Sequence, residues 1–171
     1  MGWVTLTLRK RELKQEHAYY QLRDLQISRE KRQLARSKSY KIAEAQNKQQ
    51  QELQGPKTTY TTANQQYQDT MKGVYSGDSN SGDATGKQAK MNEAQSALSQ
   101  AQLDYQSEVD RIKTYYENEK QMIEEEAADA ETELDMEQVE VEAQMEAIAE
   151  EIQAVSDQIS TEIKNSTIKL A

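Results

Sequence analysis

The chain of 171 residues contains no cysteine and no phenylalanine, and it has only one proline, one tryptophan and six glycines. Without cysteine, neither a disulfide framework nor a thiolate metal site can form. Only 35% of the residues are hydrophobic and the mean hydropathy is -1.03, which excludes a large compact core. Disordered chains share this low hydrophobicity, but they carry more proline and glycine and lack a period. A strong period is present here, so we expect ordered helices.

Long apolar runs are also missing. No segment approaches the roughly 18 consecutive apolar residues of a membrane span. The first eleven residues place apolar side chains before basic ones, which is the reverse of a secretory signal. We therefore expect a chain without a signal peptide or transmembrane segment, located in the cytoplasm or in a virion.

The second half of the chain carries one apolar stripe of helical spacing. Steps of three and four residues alternate along it, and polar residues occupy the stripe only at Lys120 and Gln138. This pattern predicts one acidic helical arm over residues 88–164. A helix of that length needs a packing partner along its stripe to be stable. The stripe consists of Leu98, Ala101, Tyr105, Val109, Ile112, Tyr116, Ile123, Ala127, Ala130, Leu134, Val141, Met145, Ile148, Ile152, Val155, Ile159 and Ile163.

The first half predicts a basic helical arm over residues 9–75. An apolar residue recurs at every seventh position near its start, as in a heptad repeat. The arm should break or kink near Gly55-Pro56, because proline lacks an N–H group and clashes with the preceding turn. The repeat comprises Leu6, Leu13, Tyr20, Ile27 and Leu34, and a wider stripe adds Ala18, Leu22, Leu25, Ala35, Ile42 and Ala45.

Residues 76–87 are rich in glycine, serine and aspartate, which predicts a flexible loop between the arms. Arms of similar length on either side indicate an all-α fold, a long antiparallel helical hairpin or coiled coil with this central Gly/Ser/Asp loop. We expect the hairpin seam to contain Leu13, Tyr20, Ile27, Leu34, Ile112, Ile123, Leu134, Met145, Ile152 and Ile159.

The charges of the two halves are complementary. Residues 1–60 carry 13 basic and 6 acidic side chains, whereas residues 91–171 carry 5 and 21. If residue r faces residue 162 − r, Arg29 and Arg32 face residues 129–133. Opposed charges beside an apolar seam select the partner and its orientation. The same complementarity would also serve pairing between two molecules, so both arrangements remain open.

Both ends of the chain differ from the arms. Within the terminal segments 1–8 and 165–171, residues 4–8 alternate apolar and polar side chains with a period of two, and residues 166–170 do much the same. They predict either short β segments, pairing with each other or with a neighbour, or frayed helix ends. A terminal tryptophan suits an anchor into a partner. The candidate partner-binding residues are Trp3, Val4, Leu6, Leu8, Ile168 and Leu170.

Groups suited to catalysis are few. His17 is the only histidine, and it lies near the expected seam without a motif partner. The run at residues 124–126 is best explained as a solvated or ion-paired face, because di-iron bundles need several Glu-x-x-His pairs. We expect no catalytic residue, no metal, no cofactor and no small-molecule substrate. The net charge of -9 disfavours nucleic acid as a partner.

These features predict a non-enzymatic structural or assembly protein. Its expected partners are other proteins, through self-association or within a larger assembly, and a component of a large particle such as a phage virion fits best. In outline, over most of its length, the chain also resembles the helical-hairpin stalk proteins of flagellar and type III export systems. That resemblance implies the alternative function, a coupling stalk or chaperone of a secretion apparatus.

Overall fold

Two helices make up the computed structural model, which describes residues 2–75 and 84–168. Helix α1 spans Trp3–Tyr75 and helix α2 spans Ala84–Ile168. Among the described residues only Gly2 lies outside the helices, and its carbonyl accepts a hydrogen bond of 3.0 Å from the N–H of Thr5. The expected all-α class is confirmed. Residues 76–83 of the predicted loop lie outside the described part.

The helices pack against each other in two units. The first, here called the terminal unit, consists of Met1–Lys38 and Glu125–Ala171. Within it Arg9 near the start of α1 bonds to Glu151, whereas Arg23 bonds to the earlier Glu137. The order of the partners is reversed, so the helices run antiparallel, as in a helical hairpin.

The second, here called the inner unit, consists of Ser39–Glu124. Its pairs show the same reversed order, since Glu52 contacts Tyr116 and Tyr60 stacks on Tyr105. The core of this unit is small. Ala45, Ile112 and Tyr116 form a buried cluster, against which Leu53 packs.

The ends of the described chain are helical, so the prediction of short β segments is wrong for the residues that the structure covers. Val4 and Leu8 lie in α1, and α2 extends to Ile168. Burial explains this result, because Leu6 is only 8% exposed and joins an apolar cluster with Leu13 one repeat later. Packing of this kind outweighs the β preference of alternating residues.

Helix α1 continues through Gly55 and Pro56, where the sequence predicted a break. Proline inside a helix costs about 3 kcal/mol. Contacts with α2 flank the site on both sides, at Leu53 and at Tyr60, and they hold the helix together. The Thr58 hydroxyl also donates a hydrogen bond of 2.8 Å to the backbone carbonyl of Gln54 in the preceding turn.

The second helix begins at Ala84, four residues before the predicted start of the acidic arm at residue 88. Gly86 lies inside its first turn. Glycine costs a helix only about 1 kcal/mol relative to alanine, and the neighbouring Lys87, Gln88 and Ala89 favour helix. The prediction from glycine-rich composition therefore put the boundary between the loop and the acidic arm too far along the chain.

Replacing Gly73 with alanine should stabilise the chain by up to about 1 kcal/mol, because alanine loses less backbone entropy in a helix. A Cβ atom built at Gly73, inside α1, meets no side chain within 4 Å, and no proline follows this glycine as one follows Gly55. Urea unfolding followed by circular dichroism measures the gain. Gly2→Ala is the matched control, since Gly2 is equally open but lies outside α1. Equal stabilities of the two variants would contradict the prediction.

Candidate functional site

The surface that determines what this chain can do is the seam between its helices. In the terminal unit, buried residues of α1 and α2 form one apolar cluster. The side chains of Leu13 and Ile27 are 1% and 0% exposed, the most buried in this unit. The cluster contains Leu6, Leu13, Ile148 and Val155, with Tyr20, Ile152 and Ile159 packed against it.

Polar side chains occupy every second seam position of α1 in this unit. They follow each apolar residue of the seven-residue repeat by four positions, and all of them are half-buried. Since heptad seams bury two positions per repeat, α1 contributes an apolar residue at one and a polar residue at the other. These polar seam residues are Lys10, His17, Asp24, Lys31 and Lys38.

Gln138 of α2 joins two of these polar seam residues. Its amide oxygen accepts a hydrogen bond from Lys31 Nζ, and its amide nitrogen donates to Asp24 Oδ1 at 3.3 Å. Lys31 also forms an ion pair with Asp135. In this register Gln138 bonds to both Asp24 and Lys31, and a shift of one repeat would separate these three half-buried groups.

Arg23 and Glu137 form a bidentate pair beside the same seam. Arg23 Nε and Nη2 donate to the two carboxylate oxygens at 2.6 and 2.8 Å. The hydrogen bond from Arg23 lowers the pKa of Glu137 below its usual range, and the guanidinium charge adds to the effect. Such forked pairs fix geometry more firmly than a lysine contact does. The predicted opposition of basic α1 and acidic α2 is thus realised at the edges of the seam.

Tyr116 provides the corresponding polar contact of the inner unit. Its ring is only 5% exposed, and its hydroxyl lies 3.0 Å from Glu52 Oε1 on α1. Burial, and after it the hydrogen bond to Glu52, raise the pKa of Tyr116 to about 12. The neutral phenol therefore donates to the carboxylate.

A groove of about 850 Å³ opens between α1 and α2 of the inner unit at Pro56. Small residues, Ala97 and Ala101, line its α2 wall, and Tyr60 and Tyr105 stack at 5.3 Å between ring centroids. The short side chains of these alanines leave space between the two helices at this point.

The structure places all ten predicted seam residues at buried or half-buried positions. Of the wider stripe predicted for α1, Ala45 is buried and Ile42 is half-buried. The others point away from α2, and Leu22 and Leu25 are 55% and 56% exposed. The exposed members of that stripe are Ala18, Leu22, Leu25 and Ala35.

The predicted partner-binding residues also include both exposed and buried positions. Trp3, Val4 and Leu8 are more than half exposed, whereas Leu6 belongs to the buried cluster. Ile168 is the last residue of α2, and Leu170 lies outside the described residues. Leu6 is therefore corrected to a seam residue, because its helical position continues the seven-residue repeat.

Comparisons of the chain with protein-family models, with curated proteins and with solved structures each give no match. Across residues 2–75 and 84–168, no three acidic, histidine or cysteine side chains form a group that could hold a metal ion. Neither described helix has a stretch long and apolar enough to cross a bilayer.

Of the polar seam residues, only His17 was placed near the seam from the sequence. The other four, and the contact between Tyr116 and Glu52, were missed. A signal for them was present, since Lys10, His17 and Asp24 recur every seven residues as the apolar ones do. The predicted α1 stripe was built from apolar residues alone. No comparable spacing marks Glu52, which resembles any exposed glutamate in the sequence.

Arg23→Gln should raise the pKa of Glu137 toward its ordinary value, because the carboxylate loses its hydrogen bonds and the guanidinium charge. In the wild type the lowered pKa stabilises the fold above the ordinary glutamate pKa of about 4.3. That contribution disappears as the pH falls through the lowered value. Carboxyl-detected NMR titration measures the Glu137 pKa in the wild type and in each variant. Arg11→Gln is the control and should leave Glu137 unchanged, and a Glu137 pKa identical in all three would refute the assignment.

Glu52→Gln should lower the pKa of Tyr116 from about 12 part of the way toward 10, because burial remains after the carboxylate is removed. The raised pKa stabilises the fold below pH 10, and this stabilisation is lost as the pH rises through about 12. Tyrosinate absorbance, taken as the difference from Tyr116→Phe, isolates this group. A Tyr116 that titrates normally in the wild type would show that its hydroxyl is solvated.

Proposed function

We propose that this chain is a non-enzymatic structural protein that joins neighbouring protein molecules within a large assembly, such as a virion. One observation carries the proposal, namely the mismatch between a narrow core and a large apolar exterior. Among the described residues ten hydrophobic side chains are buried, whereas thirteen large ones are exposed. Contiguous exposed apolar patches mark surfaces that other proteins cover, and exposed residues such as Leu22 and Leu25 lie within one turn of each other on the same helix.

The seam itself supports a connective function. We interpret it as an antiparallel coiled coil, since its buried positions alternate in steps of three and four residues over most of α1 and α2. Coiled coils place a regular outer surface along their length, and regular surfaces suit repeated contacts between copies. In this proposal the chain needs no catalytic residue or cofactor, and its partners are proteins.

A coupling stalk or chaperone of an export apparatus is the second candidate. The observation in its favour is that each unit is built from two helices of one chain, so the fold does not require a second copy. A stalk would function as a single chain that contacts a moving partner. A structural component of a particle would associate with its own copies.

We expect purified chain to sediment as a helical species whose mass rises above 19.6 kDa with concentration. Association covers part of this exposed apolar surface, and its free energy increases with the area removed from water. Sedimentation velocity over a wide concentration range, with circular dichroism of the same samples, provides the measurement. A helical species that keeps the mass of one chain at every concentration would contradict self-assembly and favour the stalk.

A further inference from the structure

Two exposed stripes of the terminal unit face away from the seam, one on each helix. All ten of their side chains are exposed. Each stripe has three apolar residues in its centre and a charged residue at either end. The α1 stripe consists of Arg11, Ala18, Leu22, Leu25 and Arg32, and the α2 stripe consists of Asp129, Met136, Val139, Ala143 and Glu150.

The residue intervals along the α1 stripe equal those along the α2 stripe when the α2 stripe is followed from its C-terminal to its N-terminal end. The α1 stripe advances by seven, four, three and seven residues, and the α2 stripe retreats from Glu150 to Asp129 by the same steps. An antiparallel alignment of the two therefore brings all five pairs into contact at once. Leu22 meets Val139 and Leu25 meets Met136 in the centre of that alignment.

The charges at the ends of the two stripes are opposite. In the antiparallel alignment Arg11 meets Glu150 and Arg32 meets Asp129. None of these four side chains forms an ion pair with another residue of the described chain. Complementary charges of this kind select the partner and fix its register.

We propose that the α1 stripe of one copy binds the α2 stripe of a second copy of this chain, in antiparallel orientation. The inference rests on the proposed structural function and names its partner and its contact surface. Within one chain the two stripes cannot meet, because each lies opposite the seam that joins α1 to α2. Leu22 and Met136, for example, are 55% and 61% exposed in the single chain.

This contact is heterologous, since the surface used on one copy differs from the surface used on the next. After two copies have joined, one α1 stripe and one α2 stripe remain open. Further copies add in the same orientation until a ring closes or an open array forms. A particle component that lines or braces its neighbours needs such a repeating contact.

The test uses two full-length variants that each disable one stripe without new charge. Leu22→Gln with Leu25→Gln removes the apolar centre on α1, and Met136→Gln with Val139→Gln removes it on α2. Glutamine keeps helix propensity close to that of the residues replaced. Each variant alone should associate more than about tenfold more weakly than the wild type, because two buried apolar side chains are lost at every contact.

Equal amounts of the two variants should form a species of two chains and no larger one. Each such pair contains one intact contact, between the α2 stripe of the first variant and the α1 stripe of the second. Leu103→Gln with Met122→Gln is the matched control, since both residues are comparably exposed, at 61% and 63%, but lie in the inner unit. The control should associate as the wild type does.

Charge reversal tests the register independently. Arg32→Asp and Asp129→Arg should each weaken association, because each places like charges opposite one another. The two changes in one chain should restore it. Circular dichroism confirms that every variant remains helical.

The outcomes separate this inference from the proposed function. Stripe variants that associate as strongly as the wild type, or a mixture that forms no two-chain species, would overturn the stripe contact while leaving self-assembly intact. A wild-type chain that keeps the mass of one chain at every concentration would overturn both. Loss of association in the stripe variants alone, with recovery to pairs on mixing, supports the stripe contact.

Discussion

A long helix with a narrow apolar stripe must be covered along that stripe, and the rest of this molecule depends on this constraint. Neither α1 nor α2 has enough apolar residues to form a core by itself, and isolated helices gain little from hydrogen bonds that water could equally supply. Burial of Leu13, Ile27 and their partners on α2 removes apolar surface from water at about 25 cal/mol per Å². This burial is what holds the two helices together.

The apolar seam explains the stability of the helix pair, but it does not determine the register in which α1 lies along α2. A repeat of seven residues allows a shift by one repeat at little apolar cost. Half-buried polar residues disfavour that shift, because it would separate Gln138 from both Asp24 and Lys31. The pair of Arg23 with Glu137 is partly exposed, and pairs of that kind contribute about 0–1 kcal/mol to stability. Their main effect is therefore selection of the alignment.

Much of this architecture could be predicted from the sequence, because helical periodicity is a local signal. The alternation of steps along α2 located its seam, and the seven-residue repeat located that of α1. Two of the structures that the sequence left open, short β segments at the ends and a break near Gly55-Pro56, are absent from the described residues, because tertiary packing outweighs local preference there. Burial of Leu6 draws the alternating N-terminal residues into α1, and contacts with α2 on both sides carry the helix through Pro56.

The outer surface was harder to predict for a different reason. Leu22 and Leu25 were assigned to the same broad stripe as the seam, although half a turn separates them from it. Apolar residues on two faces of one helix merge in a sequence pattern, and only the position of α2 distinguishes them. The proposal for the outer face depends on that distinction, since a stripe covered by the other helix stabilises the fold and an exposed stripe is open to contact.

The pairing of α1 with α2 inside one chain, in this register, is the central claim. Zero-length carbodiimide cross-linking tests it most directly, because Lys31 and Asp135 form an ion pair and can be joined as an amide without any added spacer. Heavy-nitrogen-labelled and unlabelled chains are unfolded together, refolded, cross-linked and digested for mass spectrometry. The account predicts a Lys31–Asp135 cross-link whose two peptides always carry the same label. Cross-linked peptides of mixed label would show that the helices pair between chains and would contradict the account.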